Sequence, residues 1–380
     1  MGKRIVMVLP EFATVAHLTK DACSFLYYLA TDCGWESAYA YFAPEPLHDA
    51  AFEQHCRLIW LGAAPEFHEQ YEIARAFVRD HARDYDVIGF FNYGKFAYRL
   101  STLAKRQNPA ITTWSKLDMS RSGFRHFYDG TWVRRIKTIP ERWKSADVDL
   151  FTVETRHYYD VLRTLPVFRG RIEYLPNGVF LGALDPAVYD TIPKDGSIVT
   201  VGRLGMPIKN TELLLDALEL LGPEELDGHP VYLIGNCTNT FRTYADAMLA
   251  RSPWMRDVLH FVGPVRDRAA LYEYDAHASV ICMTSRSESF CIAVAEAMYF
   301  GAYPVLTDYG PITGDMTDDG ALGTIVSEHA PAPVAHALRD ALRRAPAKAD
   351  DIRRHARESF DYHVLVRRLD RYLRTAGANG

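Results

Sequence analysis

The chain has 380 residues, more than one hydrophobic core normally serves, and its 48% hydrophobic and 24% charged residues describe an ordinary globular composition. A net charge of -5 argues against a general nucleic-acid binder. The six cysteines, Cys23, Cys33, Cys56, Cys237, Cys282 and Cys291, form no CxxC pair and have no histidine-rich companion spacing, which argues against a zinc site or a disulfide framework.

Lys3 and Arg4 precede a short apolar run, 5–9, that Pro10 and Glu11 end. It is too short for a signal-peptide core or a membrane span, so it reads as a first strand, and a cytoplasmic location is expected. Further strands are predicted over 37–42, 57–61, 86–91, 110–114, 148–153 and 171–175. Helix-like stretches lie between them at 17–31, 66–83, 95–106 and 155–165. This alternation predicts a parallel sheet with helices on both faces and ligands at the carboxyl ends of its strands.

Pro176-Asn177-Gly178 is a strong turn signal, and 179–196 has no clear periodicity, so it is read as a linker. The alternation then restarts, with strands at 197–201, 231–234, 258–262, 279–283 and 303–307. Helices are predicted at 210–221, 243–251, 267–277 and 292–300, and two arginine-rich helices, 333–344 and 350–374, close the chain. The expected architecture is α/β, two Rossmann-like domains facing across a cleft. Residues 1–178 would form the first domain and 197–355 the second, with 356–380 crossing back to the first.

Four constellations in the second half bear chemistry. Gly202-Arg203 follows a strand, and Lys209 opens the next helix; a guanidinium fork beside an ammonium at a helix start is suited to a pyrophosphate. Read alone, the pair is equally two surface bases on a turn. Gly235 and Gly263 end the next strands, and Gly263-Pro264-Val265 lets backbone approach a planar base, or simply makes a turn. Ser285-Arg286-Ser287-Glu288-Ser289-Phe290-Cys291 then leads into a helix that carries Glu296. Eight residues at ~1.5 Å rise put Glu288 and Glu296 ~12 Å apart along the axis, within a quarter turn of one face. That spacing suits an elongated ligand such as a nucleoside diphosphate sugar, or two solvated glutamates. Gly301-Ala302-Tyr303-Pro304-Val305 completes the series.

In this order the four resemble the family-4 retaining glycosyltransferases of the GT-B fold, over about 197–326. The resemblance implies that Arg203 and Lys209 bind the donor diphosphate and Glu296 bonds the ribose hydroxyls, while Glu288 faces the donor sugar. Gly202, Gly235, Gly263, Val265, Ser289, Phe290 and Cys291 would complete the donor site, with no metal ion needed. The chain departs from the family pattern in three places. Ser289 and Cys291 stand where glycines are usual, the Arg203–Lys209 gap is one residue longer, and Pro10-Glu11-Phe12-Ala13-Thr14 replaces a Gly-Gly acceptor loop.

The first half resembles the family in outline only. Asp118, in Trp114-Ser115-Lys116-Leu117-Asp118, stands where relatives carry a polar residue over the donor sugar; otherwise it is a plain loop aspartate. Asp147-Val148-Asp149 has the form of a metal-holding Asp-x-Asp but reads as a strand entry, with no supporting carboxylate or histidine cluster. Over 116–144, Lys116, Arg121, Arg125, Arg134, Arg135, Lys137, Arg142 and Lys144 interleave with aromatic residues. Such a lobe suits an anionic membrane surface or a lipid-diphosphate acceptor, and equally a core with a solvated basic face. The expected function is sugar transfer to a glycan or lipid-linked acceptor at the inner face of a membrane. The alternatives are a nucleotide- or glycan-binding scaffold and a nucleotide-sugar epimerase.

Overall fold

The computed structural model describes residues 2–378, apart from the side chains of Glu11, Arg134, Arg135 and Ala378. It divides into two compact units, Met1–Phe180 with Asp361–Gly380, and Leu181–Phe360.

The first unit is built on strands β1 (Arg4–Phe12), β2 (Glu36–Phe42), β3 (Cys56–Gly62), β4 (Val87–Phe91), β5 (Thr112–Lys116), β6 (Leu150–Val153) and β7 (Ile172–Tyr174). All pair in parallel, in the order β3-β2-β1-β4-β5-β6-β7. Ile5, Val6, Met7 and Val8 of β1 are all fully buried, because helices cover both faces of the sheet. The two-residue period sorts them. Ile5 and Met7 join a core with Phe25, Leu26 and Leu369, whereas Val6 and Val8 join one with Ala74, Val78 and Leu100. The order reverses between β1 and β4, which is where open sheets of this kind bind ligands.

The second unit repeats the design with β8 (Ile198–Val201), β9 (Val231–Ile234), β10 (Leu259–Gly263), β11 (Val280–Met283), β12 (Tyr303–Thr307) and β13 (Thr324–Val326). These are parallel in the order β10-β9-β8-β11-β12-β13, with the reversal between β8 and β11.

Several elements differ from the sequence expectation, among them the short helices Arg121–Phe127, Trp132–Lys137 and Ile139–Lys144 and, in the expected linker, Ala187–Asp190. β13 and the helix Ile312–Thr317 are too short to give a periodic signal. The closing segment is one helix, Pro331–Phe360, that runs through Pro346, followed by a second, Tyr362–Ala378. The break falls at Asp361, whose Oδ1 accepts the His363 N–H at 2.7 Å and so caps the new helix. That last helix packs on the first unit. Tyr362 stacks on Tyr28 with ring centroids 5.3 Å apart, and the Trp35 indole N–H donates to Asp370 Oδ1 at 2.7 Å.

Candidate functional site

Arg203 and Lys209 both lie in the turn between β8 and the helix Thr211–Leu221, at the reversal point of the second sheet. The turn is held by backbone bonds from Gly202 N–H to Ile234 O (2.9 Å) and from Leu204 N–H to Asn236 O (2.8 Å). Asn210 precedes the helix in a left-handed conformation, φ 50°. Lys209 Nζ pairs with Glu288 Oε1 at 2.6 Å, and the Ser285 hydroxyl donates to the same oxygen at 2.6 Å. The pair is nearly sealed, with 19% and 13% of the two side chains exposed. Burial works against the Lys209 proton, but the Glu288 carboxylate beside it outweighs burial and raises its pKa, so the lysine is a fixed cation. Arg203 is exposed and close enough for its charge to act on Lys209, and no hydrogen bond or ion pair engages its guanidinium among the described residues.

The segment 284–291 docks on this turn. Arg286 N–H donates to Ile208 O at 2.8 Å, its guanidinium to Asn210 Oδ1 at 2.9 Å, and the Thr284 hydroxyl to Asn210 O at 2.9 Å. Phe290 is buried with its ring 5.5 Å from Phe360, so its side chain anchors the loop and only its backbone is left to face a ligand. Ser289 is half-buried. Cys291 precedes the helix Ile292–Tyr299 at φ 67°, a conformation that favours glycine. Its thiol is pushed up to about 12 by burial and by the nearby Glu288, so it is neutral and inert. The N–H groups of Ile292 and Ala293, in the first turn, have no intrahelical partner.

Glu296 is on the same helix but is almost wholly buried, and its Oε1 accepts from Arg268 Nη1 at 2.5 Å. Burial alone would lower the Arg268 pKa, yet Glu296 and Tyr272 together raise it. Any contact with a ribose therefore involves an Arg268–Glu296 pair, a partner that sequence spacing did not supply. Gly235 also has a second duty. At φ +135° an added Cβ would stand 1.8 Å from Gly202 O, so the missing side chain is filled by the Arg203 turn itself and not by a ligand. Gly263, at φ +79°, faces open space, with Val265 half-buried beside it.

Asp118 is in the first unit. Its N–H donates to Asn92 Oδ1 at 2.9 Å, and its own Oδ1 is buried without a partner. Asp147 and Asp149 are structural. Asp147 accepts from Thr102 at 2.6 Å, while Asp149 accepts the Thr113 N–H at 2.8 Å and pairs with Lys105 at 2.8 Å. Among the described residues no cluster of three metal-ligating side chains exists.

The aromatic and basic stretch divides. Trp114, Phe127 and Lys116 are buried, and Phe124 stacks on Tyr158 at 4.3 Å. In contrast Trp132 and Trp143 are 73% and 78% exposed, with Val133, Ile136 and Ile139 also exposed nearby. Arg134 and Arg135 belong to that stretch, but their side chains lie outside the described residues. No helix among the described residues is long and apolar enough to cross a membrane. A concavity of about 1040 Å³ runs along β3 past Trp35, Cys56, Trp60 and Tyr85, but none of the predicted site residues lines it.

Paired all-parallel units with a polar group at a sheet reversal define a GT-B architecture, and the solved structures agree. Sucrose-phosphate synthase from Thermosynechococcus elongatus superposes with a TM-score of 0.71 at 17% identity, covering all of both chains. Anabaena HepE in complex with UDP and glucose gives 0.69 at 16% identity, covering 98% of this chain and 100% of that one. Residues 195–344 match the family described as Glycosyl transferases group 1. Among curated proteins, D-inositol 3-phosphate glycosyltransferase of Jonesia denitrificans is 28% identical over 221 residues, 54% of this chain and 52% of the relative. The Kribbella flavida protein of the same name is 35% identical over 143 residues, 36% of this chain and 33% of the relative. The chain thus spans about half the length, or less, of these relatives.

Proposed function

We propose that the protein moves a sugar, with retention of anomeric configuration, from a UDP- or GDP-linked donor to a glycan acceptor. The single observation that carries this is the Arg203–Lys209–Glu288 group at the reversal of the second sheet, where a free guanidinium stands beside a lysine already holding a carboxylate. Support comes from neighbours whose structures hold UDP or UDP-glucose, and from relatives named as glycosyltransferases.

In this reading the donor diphosphate lies against Arg203, Lys209 and the first-turn amides of the helix Ile292–Tyr299. As the bond to the sugar breaks, negative charge gathers on the departing phosphate, and these preoriented groups stabilise it most at that moment. Glu288 fixes Lys209 and, through its second oxygen, can meet the sugar. Glu296 meets the ribose while Arg268 keeps it oriented. Fixed protein charge does the work a metal does elsewhere, so no metal enters the reading. The exposed Trp132 and Trp143, with the basic residues around them, would place the enzyme against anionic lipid bearing a lipid-linked acceptor.

The test is direct. Incubation with UDP- and GDP-sugars and a bacterial lipid extract should release nucleoside diphosphate, and NMR of the product should show the donor's anomeric configuration. Release of nothing from any donor, or an inverted product, would overturn the proposal.

A further inference from the structure

The first sheet ends at β3, which pairs with β2 alone, and the concavity of about 1040 Å³ runs along it. A strand at the end of a sheet presents a row of backbone N–H and C=O groups with no neighbour, and proteins keep such rows short, charged or covered. The other three sheet edges are shorter. β7 and β13 have three residues each and β10 has five. β3 has seven, Cys56–Gly62, of which only Arg57 is charged and none is proline or lysine.

Every residue from Cys56 to Leu61 lines the concavity. Trp35 walls it from one face of the sheet, and Phe77, on the helix Phe67–His81, from the other. Trp60 is 43% exposed, yet its indole N–H donates to Ala43 O at 2.9 Å, so the ring is a fixed apolar surface. Ile73, one helical turn before Phe77, is exposed as well.

An extended segment is what such an edge takes, and the charges say which one. Arg57, at the start of β3, is exposed, and no hydrogen bond or ion pair engages its guanidinium among the described residues. Glu66 and Glu69, past the other end of β3 at the start of the helix, are also exposed, and no hydrogen bond or ion pair engages their carboxylates among the described residues. A foreign strand of one charge sign would oppose either Arg57 or the two glutamates. A second copy, turned about a twofold axis normal to the sheet, opposes neither. Its β3 runs antiparallel to this one, so each Arg57 approaches the partner's Glu66 and the partner's Glu69. With Ile59 on the axis, Leu58 stands across from the partner's Trp60, an apolar cross-strand pair that the symmetry makes twice. The rotation also keeps the two helices on one face, which turns Ile73 toward the partner's Phe77.

We infer that β3 is the interface of a homodimer in which two seven-stranded sheets join edge to edge. Sedimentation equilibrium of the full chain over a range of concentrations tests this. The native chain should approach twice its own mass as concentration rises. Trp60→Lys puts a charge on the edge, and Arg57→Glu gathers carboxylates across the axis, so each should raise the dimer Kd roughly tenfold or more. Joining Arg57→Glu to Glu66→Lys and Glu69→Lys restores opposite charges and should recover the dimer. All four positions are exposed, so circular-dichroism melts should show each variant folded. A native chain at single-chain mass at every concentration would overturn the inference. So would a dimer that Trp60→Lys and Arg57→Glu leave untouched. Either result leaves the donor reading in place, because none of these residues belongs to the Arg203–Lys209–Glu288 group.

Discussion

Two lysines stand at the carboxyl ends of parallel strands, one in each unit, and they are held in opposite ways. Lys209 has a carboxylate at 2.6 Å and remains 19% exposed. Lys116 is 1% exposed, with Nζ unbonded above the Phe91 ring, 5.7 Å from its centroid. An ion pair with access to water can share its cation with an arriving diphosphate, because Glu288 still keeps the Ser285 hydroxyl. A sealed lysine gives no such access to bulk anions. The first arrangement suits a leaving group that must be stabilised as it charges, and the second suits a fixed structural charge.

Arg203→Ala removes a donor that no other side chain engages, so the fold should persist while turnover falls. The expected loss is roughly a hundred- to a thousand-fold, or ~2.7–4 kcal/mol of transition-state stabilisation. Steady-state kinetics beside a circular-dichroism melt measures both, and near-native turnover would remove Arg203 from the site.

Next, Lys209→Met strands Glu288 without its cation in a nearly sealed position. Breaking a buried pair by one partner costs about 3–5 kcal/mol, so chemical denaturation should show a loss of that order, tempered by the residual exposure. Gly235→Ala acts by shape alone, since its Cβ meets Gly202 O at 1.8 Å. It should cost about 2–4 kcal/mol and weaken nucleotide binding by displacing the Arg203 turn.

The buried acid of the first unit gives a pH signature, to which the buried Asp275 of the second unit, raised by burial, adds in the same direction. Folded, Glu154 keeps its proton to about pH 8, against 4.5 as its ordinary value. Between those values the folded chain binds more protons than the unfolded one, so stability should fall as pH rises, by up to about 1.4 kcal/mol per pH unit. Asp21, raised in the same direction, adds to the slope over a lower range. Melting temperatures from pH 5 to 8 should decline for the native chain and decline less for Glu154→Gln. The smallest change belongs to Cys291→Gly. It relieves a left-handed backbone worth about 1 kcal/mol but removes a buried thiol, so stability should move by less than about 1 kcal/mol with nucleotide binding retained.

What could be read from the sequence follows from distance along the chain. Arg203, Lys209 and Glu288 lie beside strand ends that short apolar runs already mark, so their neighbourhood was legible. The two doubly wound sheets were legible for the same reason, since each strand–helix step is local. The Arg268–Glu296 pair was not, because its members are 28 residues apart on different helices. The duty of Gly235 escaped because only coordinates reveal that the Gly202 carbonyl occupies its side-chain position. The group of buried charges that Lys116 forms with Asp21 and Glu154 was hidden most deeply. β1, β4, β5 and β6 are adjacent in space, yet Asp21 and Glu154 are more than a hundred residues apart in sequence. A charged residue directly after an apolar strand, as at Glu154, is the one local sign of it.

The most direct measurement of the central claim is a thermal-shift panel of UDP, GDP, ADP, TDP and CMP on the native chain and on Arg203→Ala. One nucleoside diphosphate should raise Tm of the native chain, by several degrees at a hundredfold excess over Kd, and should lose most of that shift in the variant. A flat response to every nucleotide, or an equal shift in both proteins, would contradict a diphosphate site built on Arg203 and Lys209.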